Sequence, residues 1–162
     1  MSTYTVTRSI ETSATPAQVH AFVDDFRQWS AWSPWEDLDP TMQRSYSGAD
    51  SGVGAHYEWK GDGKVGQGEM TIESSTPQSI GIRLAFVKPF AAVCPTRFDF
   101  EPLGAGAGAG SGTRVSWTMQ GENRGIMALL APLFRIQQSV GKDFDRGLAK
   151  LKAAAEAATH TD

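Results

Sequence analysis

The chain has few of the residues that build disulfides, metal centres or nucleic-acid interfaces. Its 162 residues include one cysteine, Cys94, which excludes an internal disulfide and a thiolate-rich metal site. The histidines His20, His56 and His160 have no mutual spacing typical of metal ligands, so we expect neither a metal nor a cofactor. The net charge is −3 and no run of Lys or Arg occurs, which argues against nucleic acid as a partner.

Long apolar segments are also absent. No run reaches the roughly 20 residues of a membrane-spanning helix, and the N-terminus lacks the charged and apolar regions of an export signal. We therefore predict a cytoplasmic protein with no membrane span, and the sequence leaves its oligomeric state, monomer or dimer, open. The length predicts a single domain over residues 1–158, followed by a polar tail at 159–162.

The spacing of apolar residues predicts an α+β fold. Residues 4–12 alternate as in a strand, and Thr15, Pro16 and Gln18 have the pattern of a capping box that opens a short helix. From 42 to 120 the period is two, which predicts about six more antiparallel strands with one face in water. Residues 125–158 have helical spacing. We expect the curved sheet to wrap around this long C-terminal helix.

Two segments that invite a chemical interpretation are better explained as loops. Residues 104–112 satisfy a loose dinucleotide-binding pattern, but they lead into a strand and not into a helix. We predict a hairpin loop there. Glu36, Asp37 and Asp39 could provide an acid–base pair, yet they lie in a short segment beside Pro40, so we interpret them as a solvated turn. The chain also lacks the Gly-x-Ser-x-Gly elbow of serine hydrolases.

Three of the five tryptophans, Trp29, Trp32 and Trp35, fall within seven residues. Such a cluster either plugs one end of a core or forms the rim of an apolar cavity. Gly141 lies in the apolar stripe of the long helix, where a leucine is expected. Its missing side chain would leave space for a cavity that also receives Gln137, whereas close packing of helix on strand is the alternative explanation.

Five short segments occur in a fixed order along the chain. They are Thr15-Pro16-x-x-Val19, Trp29-x-x-Trp32-Ser33-Pro34-Trp35, Gly52-Val53-Gly54-Ala55-x-Tyr57-x-Trp59-x-Gly61, Gly66-x-Gly68-x-Met70-x-Ile72 and Gly141-x-x-Phe144-x-x-Gly147-Leu148-x-x-Leu151. Together they resemble the polyketide cyclase/dehydrase-like branch of the START/Bet v 1-like (SRPBCC) superfamily, over residues 4–156. The resemblance implies the helix-grip fold, with a deep cavity for lipids, sterols, polyketides or other hydrophobic molecules. It implies no particular reaction.

We therefore predict a protein that binds a small hydrophobic molecule, such as a lipid, a polyketide or an aromatic compound. The alternative is a polyketide cyclase/aromatase or dehydratase that uses the same pocket, with Tyr57 as a proton shuttle. A third hypothesis is an interaction module whose own aromatic side chains fill the cavity. The period of two places no acid or base on the inward face, which favours the binding protein, and no catalytic residue is assigned. The candidate pocket residues are Phe26, Trp29, Trp32, Trp35, Tyr57, Trp59, Met70, Leu84, Phe86, Phe98, Phe100, Trp117, Met119, Phe134, Gln137, Gly141 and Phe144.

Overall fold

A computed structural model describes residues 2–35, 41–61, 65–88, 91–104, 112–123 and 133–160. These residues form an antiparallel sheet of seven strands in the order β1-β7-β6-β5-β4-β3-β2. Strands β2 to β7 each pair with their neighbours in the chain, and β1 closes the series against β7. The strands are β1 (Ser2–Thr12), β2 (Gln43–Gly48), β3 (Ala55–Lys60), β4 (Gln67–Thr76), β5 (Ser79–Lys88), β6 (Ala92–Pro102) and β7 (Thr113–Asn123).

Three helical segments accompany the sheet: α1 (Pro16–Asp24), a 3₁₀ helix (Phe26–Ala31) and the long α2 (Leu133–His160). The capping box predicted at the start of α1 is present. The Gln18 N–H donates to Thr15 Oγ1 at 3.3 Å, and the Thr15 N–H donates to Gln18 Oε1 at 2.8 Å. The predicted α+β helix-grip architecture, a curved sheet around a C-terminal helix, is confirmed.

The inner face of the sheet carries the core. The even-numbered side chains from Ile80 to Leu84 on β5 and from Cys94 to Phe100 on β6 are buried, as the period of two predicted. Helix α2 adds Phe144, Leu148, Leu151 and Ala155 to this core. The predicted loop at 104–112 lies outside the described residues except for its two end glycines, and the predicted turn at Glu36, Asp37 and Asp39 lies wholly outside them. No helix among the described residues is long and apolar enough to cross a membrane.

The C-terminal half of α2 is fastened to the end of β1. Glu156 Oε2 accepts hydrogen bonds from Thr12 Oγ1 at 2.7 Å, from the Ser13 N–H at 3.1 Å and from Lys152 Nζ at 2.7 Å. These bonds favour the ionised carboxylate, with the Lys152 bond contributing most, and they lower the pKa of Glu156 from 4.5 to about 2. This contact fixes one end of α2 over the sheet.

Candidate functional site

A cavity of about 250 Å³ lies between the inner face of the sheet and helix α2. Its walls are mostly aromatic and aliphatic side chains, with a few polar groups among them. The sheet contributes Tyr57, Trp59, Met70, Leu84, Phe86, Lys88, Thr96, Trp117 and Met119. The 3₁₀ helix contributes Trp29, the loops contribute Ser33, Trp35, Met42, Val65 and Gly66, and α2 contributes Val140, Asp143 and Phe144.

The antiparallel register aligns the sheet side of the cavity. Tyr57 on β3 lies opposite Met70 on β4, and Met70 lies opposite Leu84 on β5, so the three side chains form one row across the sheet. Trp59 lies over Gly68, where a Cβ atom would come within 2.5 Å of the indole Cη2. The Trp59 indole N–H donates to the Val65 carbonyl oxygen at 2.8 Å, which fixes this side chain as one wall.

The tryptophan cluster serves both purposes that the sequence left open. Trp29 and Trp35 line the cavity, whereas Trp32 is completely buried and plugs the core beneath it. The Trp29 and Trp32 indole N–H groups each donate to a main-chain carbonyl oxygen of α1 at 2.9 Å. Arg146 Nη2 donates to the Pro34 carbonyl oxygen at 2.9 Å, which ties the segment to α2. The rim of the cavity is therefore anchored on both sides.

Several predicted pocket residues lie elsewhere. Phe26, Trp32, Phe98 and Phe100 belong to the packed core and do not line the cavity. The side chains of Phe134 and Gln137 lie outside the described part of α2. The other ten predicted residues with side chains border the cavity, so the alternation identified the correct face of the sheet but not the depth of each residue.

The prediction that Gly141 leaves space for the cavity is wrong. A Cβ atom at Gly141 would meet the guanidinium of Arg8, which reaches under α2 from β1 and pairs with Asp145 at 3.4 Å. The volume of the missing side chain is therefore filled by Arg8. Helix α2 also packs closely against its neighbours at Gly147, where a Cβ atom would lie 2.8 Å from Pro34 Cδ and 3.0 Å from Trp117 Cζ3.

The expectation that no charged group faces inward also fails, because Lys88 and Asp143 border the cavity. Lys88 continues the even-numbered inward series of β5, and this signal was present in the sequence. Asp143 precedes Phe144 on α2 and lies 3.4 Å from Arg146 Nη2. Thr96 is the buried hydroxyl of β6, and its Oγ1 donates to the Cys94 carbonyl oxygen at 3.0 Å. Lys88 thus lies at the end of β5 and Asp143 within α2, both beside an apolar interior.

Among the described residues, one cluster has the composition of a metal site, and it lies on the outer face of the sheet. One ligand atom each of His56, Glu58 and Glu69 lies within 4.8 Å of the others. His56 Nε2 is 3.4 Å from Glu58 Oε2 and 3.7 Å from Glu69 Oε2, while Arg83 Nη1 lies 3.4 Å from Glu69 Oε1. With Arg83 against Glu69, we interpret the cluster as a surface ion-pair network, separate from the cavity.

Comparison with known proteins agrees with this architecture. A family model described as polyketide cyclase / dehydrase and lipid transport matches residues 3–156. A START superfamily protein from Mycobacterium smegmatis superposes with a TM-score of 0.63 at 14% identity, covering 94% of this chain and 97% of that one. A protein from Chromobacterium violaceum gives a TM-score of 0.65 at 16% identity, covering 94% and 96%. The di-domain ARO/CYC protein BexL of the BE-7585A biosynthetic pathway gives 0.64 at 16% identity, covering 95% of this chain and 50% of that one. No curated protein matches the chain.

Proposed function

We propose a function for this chain from the premise that it belongs to the polyketide cyclase / dehydrase and lipid transport family of the START/Bet v 1-like (SRPBCC) superfamily. It reversibly binds a small hydrophobic molecule between its sheet and α2. The cavity of about 250 Å³ is the observation that carries this proposal. An engineered apolar cavity of roughly 150 Å³ in another protein is sufficient to bind benzene. The space here is therefore of the order needed for one or two rings.

The composition of the walls supports the same ligand class. Ligand sites are typically apolar and aromatic, with a few polar groups that orient the bound molecule. Trp35 and Trp59 are half-buried aromatic side chains of the lining, and Tyr57 and Thr96 add hydroxyl groups. A flat apolar molecule would bury its surface against these rings, at roughly 25 cal/mol per Å² removed from water.

Binding can be tested by titration with N-phenyl-1-naphthylamine, a neutral dye whose emission rises in apolar surroundings. We expect saturable binding of one dye per chain. The variant Val140→Trp places an indole in the cavity, because Val140 is a half-buried lining residue on α2. We expect it to weaken dye binding at least tenfold, or about 1.4 kcal/mol.

Val93→Trp is the matched control, since it introduces the same indole on β6 at a side chain that is 50% exposed and outside the cavity lining. This variant should bind the dye as the wild type does. Equal affinities of Val140→Trp and Val93→Trp, or no saturable binding at all, would contradict the proposed cavity site.

A cyclase or dehydratase is the second candidate, and Lys88 and Asp143 at the cavity are the observation in its favour. Incubation with a poly-β-ketone mimic, followed by mass measurement of the recovered compound, separates the two candidates. We expect the compound to be recovered unchanged. A cyclised or dehydrated product, formed more slowly by Tyr57→Phe, would establish the enzyme instead.

A further inference from the structure

The outer face of the sheet brings three metal-ligating side chains together where β3 pairs with β4. His56 and Glu58 alternate onto this face of β3, and in the antiparallel register Glu58 lies directly opposite Glu69 of β4. One ligand atom of each residue lies within 4.8 Å of the other two. Like charges directly opposite each other destabilise a strand pair, so a cation between the two carboxylates would stabilise this one.

The spacing of these atoms is close to that of the ligands around a tetrahedral Zn²⁺ ion. His56 Nε2 lies 3.4 Å from Glu58 Oε2 and 3.7 Å from Glu69 Oε2. Imidazole nitrogen and carboxylate oxygen bind zinc at about 2.0–2.2 Å, which places the ligands of a tetrahedral centre about 3.3–3.5 Å apart. Each of the two nitrogen–oxygen distances is therefore within about 0.4 Å of an edge of such a tetrahedron.

Residues outside the cluster orient two of the three ligands. Thr71 Oγ1 lies 2.8 Å from His56 Nδ1 and can accept a hydrogen bond from it, which leaves the Nε2 lone pair on the side of the carboxylates. Arg83 Nη1 donates to Glu69 Oε1 at 3.4 Å, so the other oxygen of this carboxylate, Oε2, is the one nearer to His56. Partners that bind the second nitrogen or oxygen of a ligand are typical of protein metal sites.

The ion pairs described above and a metal site use the same atoms. Each ion pair of His56 needs a proton on Nε2, and a divalent cation can take the place of that proton. A double charge attracts the two carboxylates more strongly than a singly charged imidazolium does. An imidazole among the ligands favours zinc and its neighbours over Mg²⁺ and Ca²⁺, which prefer oxygen ligands alone.

We propose that His56 Nε2, Glu58 Oε2 and Glu69 Oε2 bind one Zn²⁺ ion on the outer face of the sheet, with water in the fourth position of the tetrahedron. The site is independent of the proposed ligand cavity, because none of the three residues lines it. The spacing of histidines in the sequence did not indicate this site, since it combines a single histidine with glutamates of two strands.

Zinc binding can be measured by isothermal titration calorimetry of the full chain with zinc chloride. We expect one ion per chain and a micromolar dissociation constant. His56→Gln and Glu69→Gln each remove a ligand and should weaken binding at least tenfold. The matched controls are His20→Gln on α1 and Glu73→Gln on β4, because both residues lie outside the cluster. Both controls should bind Zn²⁺ as the wild type does.

Nitrogen-15 spectra of the histidine side chains provide a second measurement, on the wild-type protein, that does not depend on the folding of any variant. One equivalent of Zn²⁺ should move the Nε2 resonance of His56 and leave those of His20 and His160 in place, and Mg²⁺ should move none of them. The inference is overturned if the wild type shows no saturable binding at micromolar Zn²⁺, if His56→Gln binds as tightly as the controls, or if Zn²⁺ moves a histidine other than His56. Each of these results leaves the proposed function standing, since dye binding in the cavity is measured separately.

Discussion

Gly141 and Gly147 offer a test of how α2 meets the rest of the protein. Both are buried glycines inside the same helix, so replacing either with alanine yields about 1 kcal/mol of helix propensity. Their neighbours differ. The methyl group of Gly141→Ala would meet the end of the flexible Arg8 side chain, whereas that of Gly147→Ala would meet the rigid rings of Pro34 and Trp117.

These neighbours set the expected magnitudes. Arg8 is 39% exposed and can move aside with loss of its pair to Asp145, an exposed contact worth less than about 1 kcal/mol. Gly141→Ala should therefore leave the free energy of unfolding unchanged or raise it by up to about 1 kcal/mol. At Gly147 the Cβ distances of 2.8 and 3.0 Å fall well below the roughly 3.5–4.0 Å of normal carbon contacts. Overpacking costs about 1–3 kcal/mol, so Gly147→Ala should lower stability by up to about 2 kcal/mol after the propensity gain.

Urea unfolding followed by circular dichroism measures both changes, and calorimetry should place the two melting temperatures several degrees apart, at about 2–4 °C per kcal/mol. Gly141→Ala should also bind N-phenyl-1-naphthylamine with wild-type affinity, because Gly141 does not border the cavity. The reasoning is refuted if Gly147→Ala is the more stable variant, or if Gly141→Ala weakens dye binding.

Two further predictions concern buried and paired groups outside the cavity. Glu156 has its folded pKa lowered to about 2 from 4.5, so its contribution to stability is present above about pH 4.5 and is lost as the pH falls towards 2. Glu156→Gln should therefore be less stable than the wild type in urea at pH 7, by a margin that shrinks at pH 3; an equal margin at both pH values would contradict the prediction. Cys94 is 4% exposed and burial raises its pKa above 9.0, so we expect Ellman's reagent to label it rapidly only in the urea-unfolded chain. Rapid labelling of the native protein at neutral pH would show that this part of β6 opens.

Local patterns in the sequence were sufficient to predict the helix-grip fold and to predict which face of the sheet turns inward. The capping box at Thr15 depends on residues three apart, and the inward side of β5 depends on strict alternation, so both can be identified without tertiary information. Lys88 obeys the same alternation and could have been identified by extending it one step. The role of Gly141 could not, because its neighbour Arg8 lies on β1, at the other end of the chain.

The sequence likewise does not show how deeply each inward-facing side chain is buried. Trp32 and Trp35 lie three residues apart in one short segment. Trp32 donates to the Phe22 carbonyl oxygen and is completely buried, whereas Trp35 borders the cavity. Phe98 and Phe86 share a parity on adjacent strands, but only Phe86 reaches the cavity. These differences arise from where α1 and the 3₁₀ helix cover the sheet, which no local period reports.

The charged groups at the cavity bear more directly than the fold on whether this protein is a carrier or an enzyme. A general acid or base must come within about 2.6–3.2 Å of the proton that it transfers. Asp143 lies 3.4 Å from Arg146, and the same guanidinium nitrogen donates to the Pro34 carbonyl oxygen, so Asp143 helps to hold the rim against α2. Lys88 is exposed at the end of β5. Each charge thus has a role or a position that requires no reaction, and the interior beside them is apolar. The proposed carrier role is compatible with these positions, whereas proton transfer by Asp143 would compete with its contact to Arg146.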